Sequence, residues 1–308
     1  MNLHLPERID IREVGMRDGL QLEAPVPLAG KLAMLEAIVA TGVQRVEVTS
    51  FVSPKAVPAL ADADQVAAEL GRWPGVHFSA LVANTRGAVR AIDAGVPNLE
   101  YVVSAADSHS LANAGRKTAD AAAAIGEIAA LAHEAGGSLE VIIATAWDCP
   151  FDGPTDPART LAVVSAAVEQ GADQLCLGDT IGTVTPARTV ALLDAVRAAA
   201  PGRPVGVHFH DTRGTGQANA LAAILNGVTQ LDASVGGLGG CPFAPGASGN
   251  IATEELGYWT EDSGIASGLD LAAVVAAARV TEEAVGHPLP SSLYRAGGRS
   301  VPLGPYAG

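Results

Sequence analysis

The sequence is poor in aromatic residues, in charged residues and in cysteine. Aromatics make up 4% of the 308 residues and charged residues 17%, whereas hydrophobic residues make up 48%. A core must therefore be built mainly from Ala, Val, Leu and Ile, and disorder is not indicated because disordered chains combine few apolar residues with a high density of charge. The three cysteines, Cys149, Cys176 and Cys241, are odd in number and widely spaced, so they do not indicate a disulfide framework.

The sequence also lacks an excess of positive charge and a long apolar run. Its formal net charge is −14, which disfavours binding to nucleic acids or to anionic membranes. The N-terminal segment has no basic region followed by an apolar run, and no apolar stretch approaches the ~18 residues of a membrane span. We therefore expect a cytoplasmic protein that acts on a small molecule, with no nucleic-acid or membrane partner.

Short β-rich runs alternate with Ala- and Leu-rich runs of helical length. Strands are predicted at 8–14, 45–50, 76–82, 98–104, 138–146, 173–178, 204–210 and 230–235. Helices are predicted between them at 29–41, 56–71, 84–95, 118–136, 156–171, 186–200 and 213–227. Six glycines follow or close these helices, as expected for left-handed residues at helix ends: Gly42, Gly71, Gly95, Gly136, Gly171 and Gly227.

The eightfold alternation of strand and helix predicts an α/β fold with a parallel sheet closed into a (β/α)8 TIM barrel. An open doubly wound sheet is the alternative. No linker or low-complexity segment divides the chain, so we predict one catalytic domain over residues 1–308. A helix at 271–285 and a Pro- and Gly-rich tail form a predicted C-terminal helical extension, from about 270 to 308, that could cover one end of the barrel.

The active site of such a barrel lies where the strands end and the following loops begin. The segment Gly15-Met16-Arg17-Asp18-Gly19 comes directly after the first strand. There a carboxylate can ligate a metal while the neighbouring guanidinium faces an anion. The alternative is a charged turn.

Two histidines close the seventh strand. His208 and His210 lie two residues apart, so in a strand they point to the same side at a spacing suited to a shared metal. The alternative is that each imidazole is satisfied within the protein. With oxygen ligands from Asp and Asn added, a hard divalent ion such as Mg²⁺ or Mn²⁺ is favoured. Asp211 can orient a ligand or cap the next helix.

A glycine-rich segment follows the eighth strand, at 236–250. Its composition predicts a loop that is mobile or bent tightly over a ligand, and it lacks the pattern of a phosphate-binding loop. The thiol of Cys241 can transfer a proton or act as a nucleophile there, or be incidental to a flexible lid. Asn250 offers a carbonyl oxygen near the barrel mouth.

Polar residues also end two other strands. Glu47 and Ser50 end the second strand, and Asp179 and Thr180 end the sixth. Their side chains can hold ligands and accept protons, or they can form hydrogen bonds that support Arg17 and the histidine pair. The residue types alone leave both interpretations open.

Five segments together carry a family resemblance. They are GMRDGLQLE, VEVTSFVSPKAVPALAD, LGDTIGTVTP, HFHDT and SVGGLGGCPFAPGASGNIATEEL, in that order along the chain. In this order they resemble the 3-hydroxy-3-methylglutaryl-CoA lyase family, over about residues 8–286. The last segment is the most specific, because it contains the family's signature around its catalytic cysteine.

The resemblance implies a metal-dependent TIM-barrel lyase that uses Mg²⁺ or Mn²⁺. It implies the metal ligands Asp18, His208, His210 and Asn250, with Asp18 also a candidate catalytic residue. It further implies catalytic roles for Arg17, which would polarise the thioester carbonyl and stabilise the enolate, for the thiol of Cys241, and for the supporting acids Glu47 and Asp179. Contacts to the substrate or to its CoA arm are expected from Arg17, Ser50, Asn113 and Arg213.

The implied reaction is the retro-Claisen cleavage of 3-hydroxy-3-methylglutaryl-CoA to acetyl-CoA and acetoacetate, as in leucine degradation. The implied partner is an acyl-CoA, and a homodimer or homotetramer is expected. Arg86, Arg90, Arg116 and Lys117 are candidates to meet the phosphates of CoA.

The sequence departs from the family at two places. The family usually continues after HxHDT with Tyr-Gly-Gln-Ala, whereas this chain has Arg213-Gly214-Thr215-Gly216. The loop after the fifth strand has Thr145 and Asp148 where the family usually has Cys and Gly. A cation at Arg213 could read a different acyl or acid group, so a lyase for another branched 3-hydroxyacyl-CoA stays open.

Two further alternatives differ in reaction class. A condensing transferase of the same superfamily would usually carry HxHND and GERxGN, whereas this chain has HFHDT and GGCP, which favour cleavage. A catalytically silent scaffold would lack catalytic groups, whereas every expected ligand is present in the sequence.

Overall fold

The computed structural model describes residues 5–240 and 249–299, and its centre is a closed barrel of eight parallel strands. The strands are β1 (Asp10–Glu13), β2 (Arg45–Ser50), β3 (His77–Val82), β4 (Leu99–Ser104), β5 (Leu139–Ala144), β8 (Gln174–Asp179), β9 (Val205–Phe209) and β10 (Gln230–Ala233). A short antiparallel hairpin, β6 (Asp148–Cys149) and β7 (Gly153–Pro154), follows β5. Around the barrel the order is β1-β10-β9-β8-β5-β4-β3-β2, and β2 pairs with β1. The predicted (β/α)8 barrel is confirmed, and the open sheet is excluded.

Helices surround the strands. They are α1 (Leu28–Val39), α2 (Ala63–Ala68), α3 (Thr85–Asp93), α4 (Asp107–Ala114), α5 (Thr118–Ala122), α6 (Ile125–Glu134), α7 (Pro157–Glu169), α8 (Pro186–Ala199), α9 (Gly216–Leu225), α10 (Thr253–Asp262), α11 (Leu271–Val285) and α12 (Ser292–Ala296). The local sequence determines where several of these helices begin. The Asp156 carboxylate accepts the amide of Ala158 at 2.9 Å, and Pro157 then opens α7 with its backbone angle already helical.

Some predicted elements differ from the structure. The helix predicted at 56–71 is reduced to α2 between two 3₁₀ turns, Pro58–Leu60 and Leu70–Arg72, and the helix predicted at 118–136 is divided into α5 and α6. Helices α4, α10 and α12 and the hairpin were not predicted. Five of the six glycines have a positive φ: Gly42, Gly95, Gly136, Gly171 and Gly227. The expectation for Gly71 was wrong, because it lies inside the second 3₁₀ turn rather than after a helix.

The apolar core lies between the strands and the helices. Leu99, Tyr101 and Val103 of β4 are buried in it, as the alternation of side chains along a strand requires. The lumen of the barrel is polar. Its buried side chains include Arg12, Glu47, Ser79, Glu100, Glu140 and Asp232.

The C-terminal segment packs on the outside of the barrel and reaches its C-terminal end. Val274 and Ala277 of α11 lie in the same apolar cluster as Met34 of α1. Further on, the amide of Ser291 donates to the carbonyl of Gly236 at 3.1 Å, in the loop after β10. Within residues 5–240 and 249–299, no helix has the length and apolarity needed to span a membrane.

Candidate metal centre and active site

A π-helical turn, Gly15–Gly19, presents Arg17 and Asp18 at the mouth of the barrel. The carbonyl of Val14, at the end of β1, accepts the amides of Arg17 and Gly19, each at 3.1 Å. A β-carbon at Gly15, where the turn begins, would lie 2.7 Å from a carboxylate oxygen of Glu13, so a larger residue would displace that carboxylate. Turns of this kind are rare in proteins, and those that do occur are often found at functional sites.

Two imidazoles meet Asp18 at this mouth. The Nε2 atoms of His208 and His210 are 3.1 Å apart, and they lie 3.9 Å and 3.6 Å from the Oδ2 atom of Asp18. The amide of Asn250 donates to the same oxygen at 2.9 Å, and Asn250 forms an antiparallel bridge with His210. The structure thus brings together the four residues expected to bind a metal.

The arrangement fits a divalent cation. One donor atom from each of Asp18, His208 and His210 lies within 4.8 Å of the others. The Oδ1 atom of Asn250 is buried, and it has no hydrogen-bond partner among residues 5–240 and 249–299. Two imidazole nitrogens, a carboxylate and a free amide oxygen form a mixed nitrogen and oxygen donor set that can hold a divalent cation.

The charges around the site keep Asp18 ionised. Burial alone would raise the pKa of its carboxyl, but the Arg17 guanidinium and the two imidazoles outweigh burial and hold that pKa well below its usual range. For His208, burial lowers the pKa, whereas the hydrogen bond to Asp232 and the charge of Asp18 raise it, with a net increase. The site is therefore built around a permanent negative charge.

Arg17 is held between two carboxylates. Its Nε atom donates to Glu47 at 2.5 Å, and its Nη1 atom donates to Asp18 at 2.6 Å and to Gln21 at 3.4 Å. Burial raises the pKa of Glu47, and the charge of Arg17 opposes that increase. Glu47 therefore touches Arg17 directly, which is one of the two roles left open by its position in the sequence.

The remaining predicted polar residues differ in their hydrogen bonds and in whether they line the site cavity. The Asp179 carboxylate accepts the amides of Thr183 and Val184 at 3.0 Å and 3.2 Å, so it closes the turn after β8. Thr180 lines the site cavity and accepts the amide of Thr145 at 2.8 Å. Ser50, the last residue of β2, is buried and is not among the residues that line the cavity.

A cavity of about 630 Å³ opens beside the metal-binding cluster. Its wall combines the polar cluster with apolar residues from the strand ends, such as Leu81, Val102 and Ile142. Asn113 lines it from α4, and Arg116 lines it just beyond that helix; Arg86, Arg90 and Lys117 do not. A cavity of this size and mixed polarity is typical of a small-molecule site.

Arg213 and Asp148, which depart from the family's pattern, form hydrogen bonds with other residues of the protein. Arg213 donates to the carbonyls of Ile181 and Gly182 at 2.8 Å and 3.1 Å and does not line the cavity, so its contact with a substrate stays a prediction. Asp148 accepts two hydrogen bonds from Arg188, at 2.8 Å and 2.9 Å. Thr145 is the only described residue other than glycine with a positive φ, at 53°.

The cysteines fall into two groups. Cys241, the expected catalytic thiol, lies outside the described residues. Cys149 is buried in the hairpin, 3.3 Å from the hydroxyl of Ser108. Cys176 is buried within β8, as expected of a packed thiol, with its sulfur 3.9 Å from Asp232.

A buried carboxylate behind His208 was not predicted from the sequence. The Nδ1 atom of His208 lies 3.0 Å from Asp232 in β10, and Asp232 pairs with Arg12 in β1. A signal was present, because Arg12 and Asp232 are charged residues in the interior of predicted strands. The predicted site was limited to residues at strand ends and therefore did not include Arg12 and Asp232.

Comparisons with known proteins agree with this site. A family model described as HMGL-like matches residues 8–281. Hydroxymethylglutaryl-CoA lyase YngG of Bacillus subtilis is 39% identical over 288 residues, covering 93% of this chain and 96% of that protein. The (R)-citramalyl-CoA lyase of Chloroflexus aurantiacus is 38% identical over 302 residues, covering 94% and 95%.

A solved structure gives the same result. The HMG-CoA lyase of Acinetobacter baumannii, in complex with coenzyme A and 3-methylmalate, superposes with a TM-score of 0.91 at 36% identity. The match covers 96% of this chain and 97% of that one. By the family model, the identity to these relatives and the shared barrel, this chain belongs to the HMGL-like family.

Proposed function

We propose that this carbon–carbon lyase cleaves 3-hydroxy-3-methylglutaryl-CoA to acetyl-CoA and acetoacetate with the help of Mg²⁺ or Mn²⁺. The observation that carries the proposal is the meeting of Asp18, His208, His210 and Asn250 beside Arg17 at one end of the barrel. Relatives named hydroxymethylglutaryl-CoA lyase match this chain over most of their own length.

The four clustered residues would hold the cation. A bound divalent ion supplies positive charge that lowers the pKa of a hydroxyl and orients a carboxylate near it. A base close to Asp18 takes the proton of the substrate's 3-hydroxyl, since Asp18 itself stays ionised. The C2–C3 bond then breaks, its electron pair passes into the thioester as an enolate, and the hydroxyl carbon becomes the ketone of acetoacetate.

Arg17 supplies fixed positive charge where the enolate oxygen develops. Its guanidinium is already oriented by Glu47 and Asp18, so no reorganisation is needed when negative charge appears. The enolate carbon must gain one proton to give acetyl-CoA. We assign that proton to the thiol of Cys241, which follows β10 in the sequence.

The cavity would hold the acyl-CoA substrate. Its polar end holds the metal-binding cluster, and its wall continues to Asn113 and Arg116. An amide and a guanidinium there can bind the polar groups of a pantetheine arm and its phosphates. A homodimer or homotetramer in the cytoplasm stays a prediction.

One comparison supports citramalyl-CoA as a second candidate substrate. The (R)-citramalyl-CoA lyase is 38% identical to this chain, and the hydroxymethylglutaryl-CoA lyase is 39% identical. Citramalyl-CoA has one methylene less between its hydroxyl carbon and its carboxylate. The same bond cleavage would give acetyl-CoA and pyruvate. A site that binds hydroxyl and carboxylate together discriminates between the two by the reach of that carboxylate.

Product analysis separates the two substrates. Purified protein with Mn²⁺ is incubated with each acyl-CoA, and acetyl-CoA, acetoacetate and pyruvate are quantified. We expect acetyl-CoA and acetoacetate in equal amounts from 3-hydroxy-3-methylglutaryl-CoA, with a higher kcat/KM than for citramalyl-CoA. Cleavage of citramalyl-CoA alone would retain the lyase chemistry and reject the proposed substrate.

A further inference from the structure

The two ring nitrogens of His208 face different groups. Nε2 faces Asp18 and His210, whereas Nδ1 lies 3.0 Å from the Oδ2 atom of Asp232. A carboxylate can only accept a hydrogen bond, so Nδ1 must carry the hydrogen. In the neutral imidazole this leaves a lone pair on Nε2, directed at the other predicted ligands.

Asp232 is itself held in place from the other side. Arg12 donates to it with two parallel hydrogen bonds, Nε to Oδ1 and Nη2 to Oδ2, each 2.8 Å long. Both side chains are buried, with exposures of 3% and 4%. A two-point contact fixes the plane of the carboxylate, and therefore the direction in which it meets His208.

Arg12 is fixed in turn by two more acids. Its Nη1 atom lies 2.7 Å from Glu100, and its Nη2 atom lies 2.7 Å from Glu140. Neither glutamate forms a described contact with His208, His210 or Asp18. The guanidinium is therefore surrounded by three carboxylates, of which only Asp232 reaches a predicted metal ligand.

We propose that Asp232 and Arg12 are positioning residues of the metal centre. Asp232 keeps His208 in the tautomer whose Nε2 can bind a cation, and Arg12 keeps Asp232 in the orientation that does so. The inference deepens the proposed function, since it concerns the same cation. It depends on buried contacts that span β1, β9 and β10.

Metal affinity gives the first test. Asp232→Asn removes the carboxylate charge and places one NH₂ group against the donors of Arg12 and His208, so the hydrogen bond from Nδ1 is weakened, or it is reversed where the NH₂ faces Nδ1. We expect Mn²⁺ to bind roughly 10- to 100-fold more weakly, as is typical when such a carboxylate is removed. Glu140→Gln is the control, because it replaces another buried acid beside Arg12 without touching His208. We expect its Mn²⁺ affinity to stay close to that of the wild type, because its side chain contacts none of the predicted ligands.

Titration calorimetry with Mn²⁺ measures these affinities without substrate. An Asp232→Asn protein that binds Mn²⁺ as tightly as the wild type would overturn the proposal. Equal weakening by Glu140→Gln would also overturn it, because charge balance rather than the histidine contact would then be responsible.

The tautomer itself gives the second test. Nitrogen NMR of the metal-free wild type at alkaline pH should show His208 protonated on Nδ1, with the signal assigned by its loss in His208→Gln. Asp232→Asn should shift the proton to Nε2. A wild type protonated on Nε2 would contradict the proposal, even where Asp232→Asn fails to fold. This readout does not depend on lyase activity, so it also stands if the proposed reaction is wrong.

Discussion

The Nε2 atoms of His208 and His210 lie 3.1 Å apart, and both face the Oδ2 atom of Asp18. Two imidazole nitrogens at this separation cannot both present lone pairs to one another without a proton or a cation between them. A divalent ion shared with Asp18 satisfies all three groups, and this requirement underlies the first prediction.

Removal of metal should abolish activity and lower stability. After dialysis against EDTA we expect no measurable cleavage, with recovery on addition of Mn²⁺. In scanning calorimetry, Mn²⁺ at a concentration 100 times its Kd should stabilise the fold by about 2.7 kcal/mol. The His210→Ala protein should lack this increase. Full turnover in EDTA would contradict the metal centre.

Replacement of Arg17 by lysine should reduce kcat far more than it changes KM. A lysine keeps the charge, but one ammonium cannot contact Glu47 and Asp18 as the guanidinium does while also facing an enolate oxygen. We expect kcat to fall by roughly 10²- to 10³-fold. Arg72→Lys, which alters an exposed pair with Glu36, serves as the control and should leave kcat unchanged.

Glu13 should make the stability depend on pH. Its carboxylate accepts the amides of Gly15 and Val235 at 2.8 Å and 2.9 Å and the hydroxyl of Thr253 at 2.5 Å. Burial nevertheless raises its pKa from 4.5 to about 7. The folded state therefore binds the proton more tightly than the unfolded state, and stability is lost as the pH rises from about 4.5 to about 7.

That difference in pKa corresponds to about 3 kcal/mol. In Glu13→Gln the neutral amide can keep the same contacts, so the fall in unfolding free energy between pH 5 and pH 8 should be smaller than in the wild type by roughly this amount. Denaturant unfolding at several pH values measures it. The exposed Glu134→Gln variant should follow the wild-type curve. Parallel curves for Glu13→Gln and wild type would refute the prediction.

Cys241→Ser should reduce turnover while leaving Mn²⁺ binding intact. A hydroxyl is a much weaker acid than a thiol, so delivery of a proton to the enolate carbon should slow by roughly 10²- to 10⁴-fold. The buried Cys149→Ala variant is the matched control and should keep wild-type kcat. If Cys241→Ser turns over at the wild-type rate, another group provides the proton.

The repeating architecture could be predicted from the sequence because short β-rich runs alternate with Ala- and Leu-rich runs of helical length, and several of the helices are followed by a glycine of positive φ. Gly71 shows the limit of that signal. A glycine near the end of an apolar segment also fits a tight 3₁₀ turn, and only packing of the surrounding segment decides between the two. For the same reason the predicted helix at 56–71 was too long.

The histidine pair could be predicted because His208 and His210 are two residues apart at the end of one strand, whereas Asp18 and Asn250 were expected as further ligands from the family resemblance. The support of His208 was not predicted, since Arg12 and Asp232 are 220 residues apart. They become neighbours only through the pairing of β1 with β10, where they occupy the same register position. Periodicity within one strand shows which side chains share a lumen, but it does not show which strands become adjacent.

The seam between β1 and β10 joins the two ends of the barrel sequence, and the predicted ligands come from both sides of it. Asp18 follows β1, whereas Asn250 follows β10. This seam pairs residues 220 positions apart in the sequence, and contacts of such long range form slowly during folding. The predicted ligands therefore come together only where β1 and β10 are paired, so the integrity of the predicted site depends on closure of the barrel.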